Sequence, residues 1–308
     1  MKAIIMDRHG GLDVLRYGDL PDPVAEAGQV VVDIHAASVN GADTKVREGG
    51  AYTTISKFPY VLGRDFSGVV AALGAGVTEF TVGDPVFGVL AAGRDGTYAE
   101  KVAEKASILC RKPADLSHLE AAALALVGLT ALVSIEDTLK LKRDETILIQ
   151  GGAGGVAGYA IQLAKHIGAR VITTTSAANR AYVQGLGADQ IIDYNKEDFT
   201  KLVKDVDAVF ETVGGEVATR SFEVVKSGGR AAFIASGATA PVSPRSDVKS
   251  LRPAVGRDRA HLERILELRA IEAIRVPEMR VFPLREAAEA QRVSEGRHFR
   301  GKLLLQVR

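Results

Sequence analysis

Cysteine is almost absent from this 308-residue chain, in which Cys110 stands alone. A single thiol excludes an internal disulfide and any metal cluster built from several cysteines. The chain also lacks an excess of either charge, since 39 Lys and Arg residues stand against 38 Asp and Glu residues. This balance provides no general basic field for nucleic acid or for an anionic membrane. Both features fit a reducing cytosol, so we expect a cytoplasmic protein without nucleic-acid or membrane partners.

Long hydrophobic runs are missing too. The most apolar stretch, residues 121–135, covers 15 residues between Glu120 and Glu136, whereas a membrane-spanning helix needs about 20. We expect a buried helix there. The first residues, MKAIIMDRHGG, have neither a long apolar core nor a cleavage site, so no secretory signal is expected.

Residues 145–194 form the most informative part of the sequence, because they predict a strand, a glycine loop, a helix, a second strand and a second helix. Two overlapping series follow the G-x-x-G-x-x-A/G spacing: Gly151, Gly154 and Ala157, then Gly152, Gly155 and Gly158. Glycine permits tight turns and lets backbone amides approach a pyrophosphate at the positive end of a helix. The context favours a dinucleotide site over a structural glycine turn, with the register left open.

The end of the second strand indicates which dinucleotide is held. An NAD site places Asp or Glu about 20 residues after the loop, but residues 173–180 read TTTSAANR and carry no carboxylate. Hydroxyls and the Arg180 guanidinium favour the 2′-phosphate of NADP. The alternative is that Arg180 is simply a solvated helix residue.

The two ends of the chain differ from its middle. The first 115 residues carry short strand-like runs between Gly, Pro and Asp residues, at 2–6, 30–36, 67–73, 85–89 and 98–102. From about residue 116 strands alternate with helices, with further strands at 190–192, 207–211 and 230–236, which predicts a doubly wound parallel sheet. Residues 238–258 read as loop. The charged run RPAVGRDRAHLER that begins in it is expected to be solvated surface, and the alternative is that it borders the cleft. A helix at 261–274 precedes a tail with strands at 280–283 and 301–307 around a helix at 284–294.

Several segments together resemble the medium-chain dehydrogenase/reductase superfamily, and within it the zinc-free quinone oxidoreductases (zeta-crystallin-like) and the alkenal/enone reductases. They are FPYVLGRDFSGVVAALGAGVTEFTVGDPVFG (58–88), GTYAEKVA (96–103), LEAAALALVGLTA (119–131), GADQIIDY (187–194), DAVFETVGGE (207–216) and GKLLLQV (301–307). The resemblance implies an α/β protein with a GroES-like β-rich catalytic domain and a Rossmann domain. We expect the catalytic domain at 1–117 and 262–308, and the NADP-binding domain at 118–261.

The resemblance also implies the chemistry. Where zinc-dependent relatives have a Cys and a His-Glu pair, this chain has Gly41, Arg64 and Asp65, so metal-free catalysis is expected. An acceptor that is already electrophilic, a quinone or an α,β-unsaturated carbonyl compound, suits hydride transfer from NADPH without a Lewis acid. The alternatives are an enoyl-thioester or other carbonyl reductase of the same superfamily, and an NADPH-binding sensor or structural protein without turnover.

The family's functional positions transfer to named residues. The catalytic candidates, as donors near the acceptor oxygen, are Asn40, Lys45 and Tyr52. The cofactor-binding candidates are Thr130, Gly151, Gly152, Gly154, Gly155, Val156, Thr175, Ser176, Arg180, Tyr194, Ser236 and Arg297. Lys45 could instead be a solvated charge, Tyr52 a packed aromatic and Thr130 a helix-packing residue. Relatives often form a homodimer by pairing the last strand of each Rossmann sheet, here expected near residues 231–236.

Overall fold

The computed structural model describes residues 1–50, 55–91 and 93–308. They form two compact units, of which the first comprises Met1–Leu126, Arg257–Arg264 and Glu278–Arg308 and the second Val127–Gly256 and Ile265–Pro277. The sequence placed the boundaries after residue 117 and before residue 262. The observed breaks differ because two helices each contribute residues to both units.

The first unit is built on antiparallel strand pairs, except for the parallel pair of its last two strands. Its strands are β1 (Lys2–Met6), β2 (Arg16–Asp19), β3 (Gln29–Val39), β4 (Tyr60–Val61), β5 (Asp65–Leu73), β6 (Pro85–Val89), β7 (Lys101–Lys105) and β8 (Cys110–Arg111), joined by β15 (Met279–Pro283) and β16 (Lys302–Gln306). A three-stranded sheet has the order β2-β1-β4. A seven-stranded sheet has the order β15-β16-β3-β5-β6-β8, with β7 paired to β3.

Apolar side chains that alternate along the strands form the core of this unit. Val30, Val32 and Ile34 of β3 are fully buried, as period-two patterning requires of one sheet face. They pack in one cluster with Leu303 and Leu305 of β16. The last strand is therefore part of the core, and the short helices α1 (Gly41–Arg47) and α8 (Ala287–Glu295) accompany it.

The second unit contains a parallel sheet. Strands β9 (Thr146–Ile149), β10 (Arg170–Thr175), β11 (Gln190–Asp193), β12 (Val206–Glu211), β13 (Val225–Phe233) and β14 (Lys249–Leu251) follow the order β11-β10-β9-β12-β13-β14. Helices α3 (Gly155–Ile167), α4 (Arg180–Gly185), α5 (Phe199–Leu202) and α6 (Glu216–Arg220) connect them. The sequence direction of the sheet reverses between β9 and β12, the point where doubly wound sheets bind ligands.

Two longer helices have residues in both units. Helix α2 (His118–Leu132) continues as a π-helix over Val133–Thr138, and α7 covers Arg259–Ala270. The continuous stretch His118–Thr138 has 21 residues and is by length and composition apolar enough to cross a membrane, so the estimate from 121–135 was too short. As expected from the sequence, the stretch is largely interior, since 78% of its most apolar window is buried inside the protein.

Three other sequence expectations need correction. The strand expected at 98–102 lies at Lys101–Lys105, since Val102 and Ala103 pair with Val32 and Val31. The loop expected at 238–258 contains β14, which pairs with residues 230–232 of β13. Strand β14 therefore pairs with β13, the strand that we expected to pair with its copy in a homodimer. Residues 231–236 do not form the edge of the sheet.

Candidate functional site

The glycine loop after β9 uses its first glycine series for backbone geometry. Gly151 has φ +73°, a left-handed conformation that costs other residues free energy. Gly154 is the N-cap of α3 with φ −73° and ψ 155°, and no side chain caps the helix there. The first amides of a 13-residue helix are therefore not covered by a capping side chain, which suits a phosphate.

The second glycine series provides close packing. A Cβ on Gly152 would collide with Thr173 Oγ1 and lie 3.1 Å from Ile161 Cδ1. A Cβ on Gly158 would lie 3.1 Å from Leu186 Cδ1. Both spacings seen in the sequence are used, one for the turn and helix cap and the other for packing of the loop and of α3.

Two threonines of β10 and one that follows β12 hold the loop in place. Thr174 Oγ1 donates to Gln150 Oε1 (2.7 Å) and accepts from the Gly151 amide (3.1 Å). Thr173 Oγ1 donates to the Ile149 carbonyl (2.6 Å), and Thr212 Oγ1 donates to the Gln150 carbonyl (2.8 Å). The bond from Thr212 joins the loops after β9 and β12. Sequence reasoning treated Thr173 and Thr174 only as uncharged neighbours of the cofactor, because their partners are on other strands.

The residues expected around a 2′-phosphate follow two adjacent strands. Thr175 ends β10 and is buried, Ser176 comes next, and the Tyr194 amide, just after β11, donates to the Thr175 carbonyl (3.2 Å). The exposed Arg180 donates from Nη2 to the Ile191 carbonyl of β11 (3.1 Å). The structure thus brings Ser176, Arg180 and Tyr194 to one edge of the sheet, where the Tyr194 side chain is 52% exposed.

One carboxylate near this edge was not weighed in the sequence. Asp193 ends β11 but is 6% exposed. Its Oδ1 accepts from the Asn195 backbone amide (3.1 Å) and from Asn195 Nδ2 (3.3 Å). The carboxylate is therefore held within its own turn.

The other cofactor-binding candidates of the second unit lie in helices or follow a strand. Val156 lies half-buried in the first turn of α3. Thr130 is the one half-buried residue between 121 and 135, and its carbonyl accepts from Ser134 Oγ (2.6 Å) where the π-helix begins. Ser236 follows β13 and donates to the Thr239 carbonyl (2.8 Å).

In the first unit Asn40 is the centre of a buried hydrogen-bond network. Its Nδ2 donates to Asp65 Oδ1 (2.8 Å) and its Oδ1 accepts from Lys302 Nζ (2.6 Å). Asp65 is fully buried and also accepts from Ser38 Oγ (2.7 Å). Lys302 donates to the Val39 carbonyl as well (2.8 Å), and burial lowers the pKa of its ammonium. Asn40 thus supports the neighbouring strands, a role that the sequence did not assign to it.

A second buried group surrounds Asp43 of α1. Asp43 Oδ2 accepts from the Asn40 amide (2.9 Å) and from Tyr98 Oη (2.8 Å). Burial raises the pKa of Asp43 to about 7, while the charge of Arg64, with its Nε 3.8 Å from Asp43 Oδ1, opposes the rise. Arg64 Nε also lies 2.9 Å from Asp95 Oδ1. Burial therefore outweighs the attraction of Arg64, and the negative charge of Asp95 adds to the rise in the pKa of Asp43.

The remaining candidates of the first unit are placed less completely. Lys45 lies half-buried in the last turn of α1, and its carbonyl accepts from the Gly50 amide (2.7 Å). Tyr52 lies outside the described residues. Arg297 is exposed after α8 with φ +52°, and it belongs to the first unit, unlike the other cofactor candidates.

The residues at the zinc positions do not suit a zinc ion. Gly41 has no side chain, Arg64 is a cation, and Asp65 is occupied by Ser38 and Asn40. Within residues 1–50, 55–91 and 93–308, no group of three or more His, Cys, Asp or Glu side chains could hold a metal ion.

Comparison with known proteins shows which family has this architecture. The family described as alcohol dehydrogenase GroES-like domain matches residues 26–114, and the family described as zinc-binding dehydrogenase matches residues 186–305. An NADPH-dependent alkenal/one oxidoreductase of Arabidopsis thaliana is 33% identical over 268 residues, which are 82% of this chain and 69% of that protein. The chain spans about two thirds of the length of the curated relatives that it matches.

Solved structures agree over the whole chain. The quinone oxidoreductase of Coxiella burnetii has a TM-score of 0.93 and 35% sequence identity, covering 100% of this chain and 99% of that one. The Escherichia coli quinone oxidoreductase complexed with NADPH has a TM-score of 0.90 and 28% identity, with full coverage of both chains. The predicted GroES-like and Rossmann architecture is confirmed. The chain therefore belongs to the medium-chain dehydrogenase/reductase superfamily, in the branch of oxidoreductases that contains quinone oxidoreductases and alkenal/one oxidoreductases.

Proposed function

We propose that this oxidoreductase reduces quinones or α,β-unsaturated carbonyl compounds with NADPH, without zinc. The observation that carries the proposal is the glycine loop with a side-chain-free helix cap, next to a strand end that holds Ser176, Arg180 and Tyr194. Relatives named as quinone and NADPH-dependent alkenal/one oxidoreductases support the acceptor class.

Each part of the loop has a task toward the cofactor. The amides of the first turn of α3 would bind the pyrophosphate, and Gly151, Gly152, Gly154, Gly155 and Val156 line that approach. Arg180 would pair with the 2′-phosphate, while Thr130 and Ser236 would contact the nicotinamide half. NADPH, when bound, supplies the hydride.

The protein's own task at the acceptor is charge stabilisation. When hydride reaches the β-carbon of an enone, the electron pair of the double bond moves to the carbonyl oxygen, and a proton completes the reduction. A positioned donor lowers the barrier by stabilising that oxygen. Lys45 and Tyr52 are the donors that we propose.

Asn40 receives a positioning role in this proposal. Both hydrogens of its amide have acceptors within the chain, Asp65 Oδ1 at 2.8 Å and the Ser38 carbonyl at 3.3 Å. It would orient β3 and the start of α1, on which Lys45 depends, and would not contact the acceptor.

The proposal that the enzyme works without zinc rests on the side chains found at the positions of the zinc ligands. A guanidinium at residue 64 repels a cation, and Asp65 is already saturated by hydrogen bonds. Turnover should survive strong chelators, and elemental analysis should find no stoichiometric zinc. A bound zinc whose removal abolishes turnover would contradict this part of the proposal.

The test of the proposal is steady NADPH oxidation with a panel of quinones and enones, with an enoyl thioester and a simple ketone as controls. Turnover of quinones or enones supports it. Turnover of the thioester alone indicates the alternative reductase, and NADPH binding without any turnover indicates a sensor. The cytoplasmic location stays a prediction, since relatives include proteins named as chloroplastic.

A further inference from the structure

Arg257 is a half-buried cation with hydrogen-bonding capacity that the described part of the fold does not use. Its Nε and Nη1 are buried and have no hydrogen-bond partner among the residues that the structure describes. The sequence predicted a solvated surface for this charged run, with a position bordering the cleft as the alternative. Burying N–H groups of a guanidinium without acceptors is costly, so each such group calls for an explanation.

Arg259, two residues further along, shows what a structural arginine does in the same segment. Its Nε donates to the Leu109 carbonyl (2.6 Å) and its Nη2 to the Ala106 carbonyl (2.8 Å). Its Nη1 lies 3.0 Å from Glu79. The segment can therefore hold a guanidinium by hydrogen bonds, whereas Nε and Nη1 of Arg257 have none to the part of the chain that the structure describes.

Three charged residues of the first unit act electrostatically on Arg257. Burial is the main cause that lowers the pKa of Arg257 to about 10, the positive charge of Arg64 adds to it, and Asp65 and Asp95 oppose it. The guanidinium thus stays charged at neutral pH, close enough to these three residues to feel their charges. It belongs to the first unit together with them.

The neighbouring carboxylates already have partners, so they do not account for Arg257. Asp65 accepts from Ser38 Oγ and Asn40 Nδ2. Asp95 accepts from Tyr60 Oη (2.8 Å) and lies 2.9 Å from Arg64 Nε. Within residues 1–50, 55–91 and 93–308 no acceptor is bonded to Arg257 Nε or Nη1, and an anionic group from outside the chain would supply one.

We propose that Arg257 binds the acceptor oxygen on which negative charge collects during reduction, the carbonyl oxygen of an enone or of a quinone. This inference rests on the proposed function and deepens it by naming the cation that takes the place of a Lewis acid. A guanidinium suits that task because it is a fixed, permanently charged donor whose attraction to oxygen grows as the oxygen becomes anionic.

An equilibrium measurement tests the site without turnover. The probe is 4-nitrophenolate, an anion of the quinol type, titrated at pH 8.5 into the NADP⁺-loaded protein, with neutral 4-nitroanisole as the control ligand. Arg257→Met should weaken the phenolate by about tenfold or more, as expected for a lost hydrogen bond to a charged group, and leave the anisole unchanged. Arg259→Met is the matched control and should bind both ligands like the parent. Failure of the parent to prefer the phenolate would overturn the inference.

A kinetic measurement separates this inference from the proposed function. In single turnovers at saturating NADPH, Arg257→Met should slow hydride transfer to an enone by about 10²–10³-fold, with a smaller loss for a quinone, and with NADPH affinity within about twofold of the parent. Arg257→Lys keeps the charge, should recover part of the rate and serves if the Met variant does not fold. A parent that reduces enones while both variants keep the parental rate refutes only the role of Arg257. A parent that reduces neither acceptor refutes the proposed function and the inference together.

Discussion

The two glycine series should be separable by experiment, because one provides packing and the other access for the cofactor. In Gly152→Ala the new Cβ meets Thr173 Oγ1, and Thr173 is fully buried and donates to the Ile149 carbonyl. Either the loop moves or Thr173 turns away and loses that bond. Overpacking costs about 1–3 kcal/mol and the hydrogen bond about 1 kcal/mol, so the free energy of unfolding should fall by about 2–4 kcal/mol.

Gly154→Ala is the matched control, since its backbone is ordinary and the nearest atom to a new Cβ is the Gly151 carbonyl oxygen at 3.4 Å. Its unfolding free energy should stay within about 1 kcal/mol of the parent. The added methyl lies where a pyrophosphate must approach the helix, so NADPH affinity should fall by about tenfold or more. Gly152→Ala should show the opposite balance, with stability as the larger loss.

The measurements are urea unfolding followed by circular dichroism, because the chain has no tryptophan, and NADPH titration by nicotinamide fluorescence. Thr173→Ala removes Thr173 Oγ1, the atom nearest to the new Cβ in Gly152→Ala. The free energy of unfolding of the double variant should therefore be about 1–3 kcal/mol higher than the sum of the two single effects predicts. The reasoning is refuted if Gly152→Ala is as stable as the parent, or if the two substitutions are strictly additive.

Three further predictions concern charge. Arg180→Ala should weaken NADPH about tenfold or more and leave NADH within about twofold, and equal weakening in fluorescence titrations would remove Arg180 from the phosphate site. Lys45→Met and Tyr52→Phe should slow hydride transfer by up to about 10²–10³-fold, more for enones than for quinones, without changing NADPH affinity. Single-turnover rates within about twofold of the parent for both acceptors would exclude Lys45 and Tyr52 as donors to the acceptor oxygen. Burial, and then the charges of His35 and Lys112, lower the pKa of His118 to about 4, below the ordinary value of 6.5. The unfolded chain therefore binds a proton first, so the stability is fully present above pH 6.5 and is lost as pH falls from 6.5 to 4, by about 1–2 kcal/mol for a partly exposed ring. Urea unfolding across that range checks it, and a His118→Gln variant that keeps the whole slope would contradict it.

Local patterns carried much of the fold. The apolar run 147–149, the glycines after it and the threonine-rich strand 170–175 each predict an element from neighbouring residues, and the sheet places them as expected. Strand β14 was missed because Lys249–Leu251 has no apolar run, and its pairing depends on β13. The start of β7 was misplaced because Ala99 forms only an isolated bridge with Ala3, and continuous pairing with β3 begins at Lys101.

The supporting contacts of the site could not be predicted in this way. Asn40 bonds with Asp65, 25 residues away, and with Lys302, 262 residues away. No spacing rule links such positions, so the sequence presented Asn40 as an available donor. The sequence left two positions open for the run that contains Arg257, since charge density along a chain does not reveal which side-chain atoms are buried.

The place of β16 in its sheet has a consequence for biosynthesis. Residues 302–306 lie between β15 and β3, yet they are translated after almost everything that they contact. Until they emerge from the ribosome, β3 presents an open edge, and Asn40 waits for the Lys302 ammonium. Most of the second unit, residues 127–256, is complete well before that moment. A nascent chain whose residues 1–277 have left the ribosome, while residues 302–306 are still inside it, should therefore contain a folded Rossmann unit and an unfinished β unit, which chaperones would need to shield.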